Sequence, residues 1–362
     1  MADDNGFTKT TTMPGTERKC PNCGGTLTYN ANAQKLYCSL CGKYKEISYG
    51  THEDVEVKGI AYNEIFNANS ATPGIKCKIL SCANCGAELI YDSAQVSGRC
   101  PFCGSTNIAL TAAATSIMRP NGIIPFLFDE DKARTYFREH MKRKLFIPYK
   151  IRHCTLDNLF PVYLPFFGFD ANTKSSYVIE IGYYDSDGNI HYKTCNGTYE
   201  KHFQEFPLSA SSKVYNSQVD KIRQFDPLSA RPFNPDYMAG YYAERNSTSL
   251  KHGFEKVQYY ITGKLNKLIP KDALRKFRGD RYRNLNFKTN YTDVTYKYIL
   301  APVYLASFTY KDKKYDVAIN GSTGDVACDP PSARKFFIAL LIILGIIAAA
   351  AFIAYLIYNA GI

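Results

Sequence analysis

The sequence predicts an α+β protein in three parts. Two small four-cysteine ribbons made of β-strands come first, then an aromatic-rich mixed α+β body with antiparallel strands, then one C-terminal transmembrane helix. Three observations carry this prediction: a cysteine pattern that occurs twice, an aromatic content of 14% with 29 Tyr and 22 Phe, and an uncharged run near the C-terminus. Tyrosine and phenylalanine favour strands, and 362 residues suffice for two or three folded units.

The chain begins with a polar segment, residues 1–19, in which no apolar run occurs. A secretory signal peptide needs such a run. We therefore predict a disordered tail at 1–19.

The repeated cysteine pattern follows this tail. Each copy reads Cys-x2-Cys, then fourteen residues, then Cys-x2-Cys, and the second copy begins 62 positions after the first, at Cys82 against Cys20. We place ribbon 1 at residues 20–45, a linker at 46–76 and ribbon 2 at 77–110. The eight cysteines are Cys20, Cys23, Cys38, Cys41, Cys82, Cys85, Cys100 and Cys103.

Four thiolates at this spacing suit one tetrahedral Zn²⁺ ion. A glycine follows each pair, where a tight turn favours positive φ; these are Gly24, Gly42, Gly86 and Gly104. The pattern predicts two structural Zn²⁺ ions as cofactors. Such sites leave no open position for a catalytic water, and their metal supplies folding energy.

The alternative hypothesis is that the cysteine pairs are redox-active, since Cys-Pro-Phe-Cys at 100–103 resembles a dithiol switch. Redox motifs occur singly beside a βαβ pattern, and this chain has neither feature, so we favour zinc. The four remaining cysteines are scattered along the chain, which fits a reducing compartment better than a disulfide framework.

The body is predicted at 111–333. A helix over about 131–145 is indicated by an apolar stripe of Ala133, Phe137 and Met141, with Asp129 or Asp131 as its cap. Alternating aromatics around the turn at 185–189 predict a hairpin over 177–193. Residues 218–224 and 235–245 are interpreted as helices, and 251–262 is ambiguous.

A short repeat occurs inside the body. Pro161-Val-Tyr-Leu164 matches Pro302-Val-Tyr-Leu305, and an aromatic strand follows each copy. Two halves of one sheet, or two related β-layers, would explain the match.

The most basic stretch of the chain runs from Lys264 to Arg283, with Phe277 and Tyr282 interleaved. One interpretation is an anionic-partner surface for nucleic acid or lipid headgroups. The other is a solvated helix face. The eight basic residues are Lys264, Lys267, Lys271, Arg275, Lys276, Arg278, Arg281 and Arg283.

The C-terminal run from Phe336 to Tyr358 contains no charge. As a helix it would span about 34 Å, enough to cross a bilayer. Arg334 and Lys335 precede it and no charge follows, so the positive-inside rule leaves the N-terminal bulk in the cytoplasm. This predicts a tail anchor at 334–362 and a single-pass protein of the cell membrane.

An ordered series of motifs resembles bacterial membrane proteins that carry transcription-factor-IIB-type zinc ribbons. Besides the ribbons, the series includes Gly122-Ile-Ile-Pro-Phe126, Pro161-Val-Tyr-Leu-Pro-Phe166 and Tyr237-Met-Ala-Gly-Tyr-Tyr-Ala-Glu244. Some members carry a replication-restart helicase label. This chain departs from that label, because Gly263-Lys264 is followed by Leu265 and no G-x-x-x-x-G-K-[ST] phosphate loop is present.

No catalytic constellation stands out in the sequence. His153 and Cys154 are adjacent, so their side chains would usually diverge, and no G-x-S-x-G motif occurs. We expect a non-enzymatic, zinc-binding, membrane-anchored adaptor whose ribbons reach from the body on a flexible connector and dock a protein partner. A membrane-tethered nucleic-acid-binding factor is the alternative, although Lys35 and Arg99 are the only basic residues at 20–41 and 82–103. A membrane-associated enzyme with a pocket in the aromatic body is the third possibility.

Overall fold

The computed structural model describes most of the chain, and the statements below concern that part. The described residues are 11–12, 18–48, 57–62, 74–90, 98–110, 115–211, 218–222, 225, 229–332 and 342–352. Most of the predicted N-terminal tail and most of the predicted linker lie outside these ranges.

Strands dominate the described residues. In chain order they are β1 Thr11–Thr12, β2 Leu27–Asn30, β3 Lys35–Cys38, β4 Tyr44–Lys45, β5 Ile60–Ala61, β6 Gly74–Cys77, β7 Ile79–Cys82, β8 Glu88–Ile90, β9 Ile108–Leu110, β10 Thr115–Met118, β11 Gly122–Ile123, β12 Asp157–Tyr184, β13 Ile190–Ser209, β14 Arg231–Pro232, β15 Tyr242–Glu244, β16 Arg281–Tyr310, β17 Lys313–Asn320 and β18 Val326–Cys328. The helices of the body are α1 Glu130–Arg143, α2 Tyr149–Arg152 and α3 Leu250–Phe277, with 3₁₀ turns at Val219–Lys221 and Pro235–Met238.

Three long strands form the spine of the main sheet. β12 pairs antiparallel with β16 on one side and with β13 on the other. In β16 the residues from Tyr296 to Phe308 are mostly buried, so this end of the sheet is covered on both faces. The residues from Arg281 to Val294 are exposed or half-buried. The body is mostly sheet, which corrects the mixed α+β body that the sequence predicted. Its long strands pair with segments that are distant in the chain, and local sequence patterns do not show such pairing.

The two Pro-Val-Tyr-Leu motifs lie side by side in this sheet. Val162 pairs with Val303, and Tyr163 pairs with Pro302. The tyrosines of both motifs pack against Phe126, while the valines enter a separate core cluster on the other face. The motifs therefore belong to one sheet, which is the first of the two explanations left open above.

The helix predicted at 131–145 is confirmed as α1. Asp129 caps it by accepting a hydrogen bond from the Lys132 amide, and Ala133, Phe137 and Met141 are buried as the stripe predicted. The helix predicted at 235–245 is wrong: a 3₁₀ turn ends at Met238, and Tyr242 begins a strand. Gly240, at φ 88°, turns the chain between them in a conformation that other residues avoid. The 218–224 segment forms a 3₁₀ turn at Val219–Lys221, and residues 223–224 lie outside the described part.

Helix α3 covers one face of the long strands. Its buried residues recur every three or four positions, as one helix face requires, and include Val257, Ile261, Leu265, Ile269 and Ala273. The ambiguous stretch at 251–262 is thus helical. The basic stretch 264–283 is divided between two elements: Arg278 adopts the left-handed conformation at the end of α3, and β16 begins at Arg281.

The prediction of a C-terminal transmembrane helix is wrong for the residues that the structure describes. Among them, no helix has the length and apolar character needed to cross a membrane. The described helix over 342–352 rises about 16 Å, roughly half of a bilayer core. The tail anchor and the single-pass location in the cell membrane, with the N-terminal bulk in the cytoplasm, therefore have no support. The rest of the predicted span, 336–341 and 353–358, lies outside the described residues.

Candidate metal centres

The four sulfurs of each ribbon converge. In each set every sulfur lies within 4.8 Å of the others. Cys20 Sγ lies 3.6 Å from Cys41 Sγ, and Cys23 Sγ lies 3.5 Å from Cys38 Sγ. The matching separations in ribbon 2 are both 3.6 Å, for Cys82 with Cys103 and Cys85 with Cys100. A tetrahedron with Zn–S bonds of 2.3 Å has edges of about 3.8 Å, so each set can hold one metal ion.

The turns that present these sulfurs are alike in all four pairs. In each, the glycine after the second cysteine donates its backbone N–H to the first cysteine's carbonyl, from 2.8 Å for Gly24 to 2.9 Å for Gly104. The four glycines have φ between 68° and 75°. A Cβ at Gly24, Gly42 or Gly104 would meet nothing within 4 Å. The requirement for glycine there is therefore conformational rather than one of space.

The last cysteine of each set is the most acidic thiol of its ribbon among those with a resolved shift. A hydrogen bond from the Lys43 backbone lowers the pKa of the Cys41 thiol to about 6. Burial opposes ionisation of Cys103, but hydrogen bonds from the Asn84 side chain and the Ser105 backbone lower its pKa to about 6. Such donors stabilise thiolates, the form that binds metal. The donor set thus fits a soft or borderline ion such as Zn²⁺.

Ribbon 1 is attached to the body by buried side chains. Tyr29 is 4% exposed, its ring packs edge-on against Tyr237, and its hydroxyl donates to the Phe126 carbonyl at 3.0 Å. Its backbone N–H donates to the Ala239 carbonyl at 2.9 Å. The interior of ribbon 1 is continuous with the main core of the protein.

Polar contacts surround this seat. The Arg18 side chain donates to Asp236 Oδ1 at 2.9 Å and to the Pro235 carbonyl at 2.7 Å. The Gln34 amide donates to the Phe126 carbonyl at 2.8 Å. Arg18, just before ribbon 1, and Gln34 within it therefore add contacts with the body on both sides of Tyr29.

Ribbon 2 is attached in another way, through backbone pairing. Its strand β8 pairs antiparallel with β15, which in turn pairs with β12 of the long sheet. Arg245, just after β15, donates to Glu88 Oε2 at 2.9 Å. The ribbon is thus an extension of the main sheet, with Leu89 in the core cluster on one of its faces.

The two ribbons differ at the tip of their second cysteine pair. Leu40 lies between Cys38 and Cys41, and the 62-residue offset aligns it with Phe102, between Cys100 and Cys103. Phe102 packs against the body, where with Phe160 and Leu305 it lines a cavity of about 60 Å³. Leu40 is 77% exposed. Neither residue stands out in the sequence, although the repeat offset aligns them.

The predicted basic surface is only partly continuous in the structure. Five of its residues lie on α3 and are exposed. Beyond α3, Arg281 lies over the Tyr184 ring, and Arg283 lies 3.8 Å from the Tyr192 ring centre and forms an ion pair with Glu180. These last two arginines bind their own sheet, so they are separated in role from the residues on the helix.

Within the described residues, the two cysteine sets are the groups of three or more His, Cys, Asp or Glu ligands close enough to share a metal ion. The prediction that the protein is not an enzyme stays a prediction.

Comparison with known proteins gives one informative relative. The chain is 27% identical to the uncharacterized protein YdjG of Bacillus subtilis strain 168 over 331 residues, which cover 87% of this chain and 90% of that protein. No family model matches the chain, and no solved structure matches it. The resemblance to ribbon proteins of the transcription-factor-IIB type therefore stays a prediction.

Proposed function

We propose that the protein is a non-catalytic adaptor that holds two structural Zn²⁺ ions and binds a protein partner through ribbon 1. The observation that carries the proposal is the exposure of Leu40 at the tip of the second cysteine pair of that ribbon. A metal-braced turn is a rigid place to present an apolar side chain, since the turn is fixed by the metal and by its own backbone hydrogen bonds.

Two tyrosines within four residues of Leu40 in the sequence add apolar surface to this part of ribbon 1. Tyr44 is 53% exposed, and its ring lies 5.0 Å from the ring of Tyr37. Exposed apolar residues that cluster favour a protein interface over a solvated face, and tyrosine is enriched in such interfaces. We define the ribbon 1 tip as Tyr37, Leu40 and Tyr44.

The kind of partner follows from ribbon 2. There the aligned residue, Phe102, packs against apolar side chains of the body, near Leu305. The ribbon 1 tip would bind an apolar pocket in the same way, but on another protein. Four-sulfur metal sites serve this role by stabilising the fold, because a tetrahedral ion with four protein ligands has no position left for a substrate.

Site-specific cross-linking tests the proposal. A photoreactive phenylalanine analogue is placed at position 40 in the full chain, and at position 145 as the control, since Leu145 is 73% exposed on the body. We expect one discrete protein adduct from position 40, absent from position 145. The purified adduct protein should then bind the zinc-loaded chain directly, and Leu40→Glu should weaken that binding at least tenfold while Leu145→Glu leaves it unchanged.

Two results would count against this function. One is the same adducts from both positions, which would mean that the tip is merely accessible. The other is a direct affinity that Leu40→Glu does not change.

A further inference from the structure

Helix α3 packs against β13, and the side of the helix that faces this strand forms a seam with it. In the described sheet β13 pairs only with β12, so its other edge is open toward the helix. Every fourth residue of α3 from 260 onward forms the helix wall. We call this feature the helix–edge groove; its wall residues are Tyr260, Lys264, Leu268, Asp272 and Lys276.

Contacts along the wall place it against the strands. Tyr260 stacks on Phe206 of β13 with ring centres 5.9 Å apart and planes inclined by 24°. Lys264 Nζ lies 4.8 Å from the centre of the same Phe206 ring. One end of the groove is therefore an aromatic pair beside a lysine, and Tyr260 remains 48% exposed.

The other end of the groove, at Lys276, adjoins a cavity of about 620 Å³ that is wide open to solvent and is also lined by Gly197 and Tyr177, among others. Tyr177 lies across Gly197, where an added Cβ would come within 2.6 Å of the tyrosine hydroxyl. That hydroxyl is buried and has no hydrogen-bond partner among the described residues. Buried polar groups are nearly always paired, so this hydroxyl marks a place where a ligand can donate or accept a hydrogen bond.

The charge of the groove selects the ligand. Lys264 and Lys276 are exposed, and no ion pair to either lysine occurs among the described residues. The one acidic wall residue, Asp272, forms an ion pair with Arg275 at 3.1 Å. A ligand with repeated negative charges and flat rings would use both lysines and the aromatic pair.

We propose that the helix–edge groove binds single-stranded nucleic acid. A base stacks on the Tyr260 and Phe206 pair, phosphates lie against Lys264 and Lys276, and a base edge reaches the Tyr177 hydroxyl in the cavity. From Tyr260 to Lys276 the helix rises about 24 Å. That length corresponds to roughly seven nucleotides at 3.4 Å each, within the range of known single-strand sites.

The test uses the full zinc-loaded chain and fluorescein-labelled oligothymidylates of four, eight and sixteen nucleotides, measured by anisotropy across a salt series. We expect affinity to rise from four to eight nucleotides and then to level off. Tyr260→Ala should weaken binding about 5- to 150-fold, the range that one lost stacking contact gives, with little change in the salt dependence.

A matched pair of double variants separates the groove from the general charge of the helix. Lys264→Gln with Lys276→Gln removes two charges from the groove, and Lys267→Gln with Lys271→Gln removes two from other exposed positions of α3. The groove pair should reduce the salt slope by about 1.4, at about 0.7 per phosphate contact, and the other pair by clearly less. Thermal melts of each variant establish that the fold is intact.

Three outcomes would overturn the proposal: equal losses from the two double variants, no effect of Tyr260→Ala, or heparin binding as tightly as the oligonucleotides. Each would mean that the helix attracts any polyanion without a groove that recognises bases. No residue of ribbon 1 is altered, so failure here leaves the proposed docking function to its own experiment.

Discussion

Ribbon 1 and ribbon 2 have the same cysteine spacing and the same four-sulfur geometry. Ribbon 1 is attached to the body by side-chain packing, whereas ribbon 2 is attached by backbone pairing between strands. Ribbon 1 places one buried aromatic side chain, Tyr29, against Tyr237. Ribbon 2 adds a strand to the main sheet at β15. As a result, ribbon 2 uses the tip of its second cysteine pair to pack on the body, whereas ribbon 1 leaves that tip exposed. A duplicated motif can thus serve as structure in one copy and as a contact surface in the other.

Loss of metal from one ribbon at a time should have the largest effect. Cys38→Ser and Cys100→Ser alter aligned, fully buried sulfurs, and each variant should retain one Zn²⁺ ion of two by elemental analysis. Structural zinc contributes about 10–16 kcal/mol of apparent binding energy in small ribbon-like domains, so the altered ribbon should unfold locally. Hydrogen exchange should show lost protection at Tyr242–Glu244 only for Cys100→Ser, because β15 pairs with ribbon 2.

Two results would contradict the assignment of two independent four-sulfur metal sites. Retention of both ions by either variant would contradict the four-sulfur assignment. Loss of both ions from a single variant would mean that the ribbons are not independent sites.

Removal of the Tyr29 side chain should be the next largest effect. Tyr29→Ala deletes a buried ring at the seat of ribbon 1, and we expect a loss of about 3–5 kcal/mol in the free energy of unfolding. Tyr29→Phe keeps the ring and removes the hydroxyl that donates to the Phe126 carbonyl, which should cost about 1 kcal/mol. Urea unfolding with zinc present measures both. Equal costs for the two variants would mean that the hydroxyl, and not the ring, fixes ribbon 1.

The aligned tips offer a sharper comparison of stability. Phe102→Ala should cost about 1–2 kcal/mol because the ring is packed on the body. Leu40→Ala should change the free energy of unfolding by less than about 0.5 kcal/mol, as expected for an exposed residue. Thermal melts of the two variants at the same zinc concentration compare the two losses of stability. A large cost for Leu40→Ala would mean that the ribbon 1 tip stabilises the fold and is not free to bind a partner.

A pH effect at the start of α1 should be the smallest. Burial raises the pKa of the Glu130 carboxyl, and Asp131 and Asp129 add to the rise while Arg134 opposes it. A carboxyl whose folded pKa is raised stabilises the fold only while protonated, so its contribution is lost as pH rises through that pKa. Glu130→Gln should therefore raise the melting temperature at pH 7, and the gain should vanish as pH falls below about 4. An unchanged gain at low pH would contradict this origin.

The local chemistry of this protein follows from short patterns in its sequence. The cysteine spacing predicted both four-sulfur sets, because a two-residue gap and a glycine suffice to form each turn without help from the rest of the chain. The stripe at Ala133, Phe137 and Met141 predicted α1 for the same reason, since one helix face is defined within fourteen residues. The hairpin over 177–193 was predicted from its turn and alternation, and β12 pairs with β13 there as expected.

Contacts between distant residues, in contrast, became visible in the folded structure. The packing of Phe102 on the body and the stacking of Tyr260 on Phe206 depend on partners more than fifty residues away, whereas Leu40 at the aligned position is exposed. The C-terminal run is a case in which a local pattern misled. Its apolar composition predicted a membrane span that the described helices do not support. Local patterns fix turns and helix faces through short-range sterics, whereas the choice of which apolar face is covered belongs to packing between distant strands.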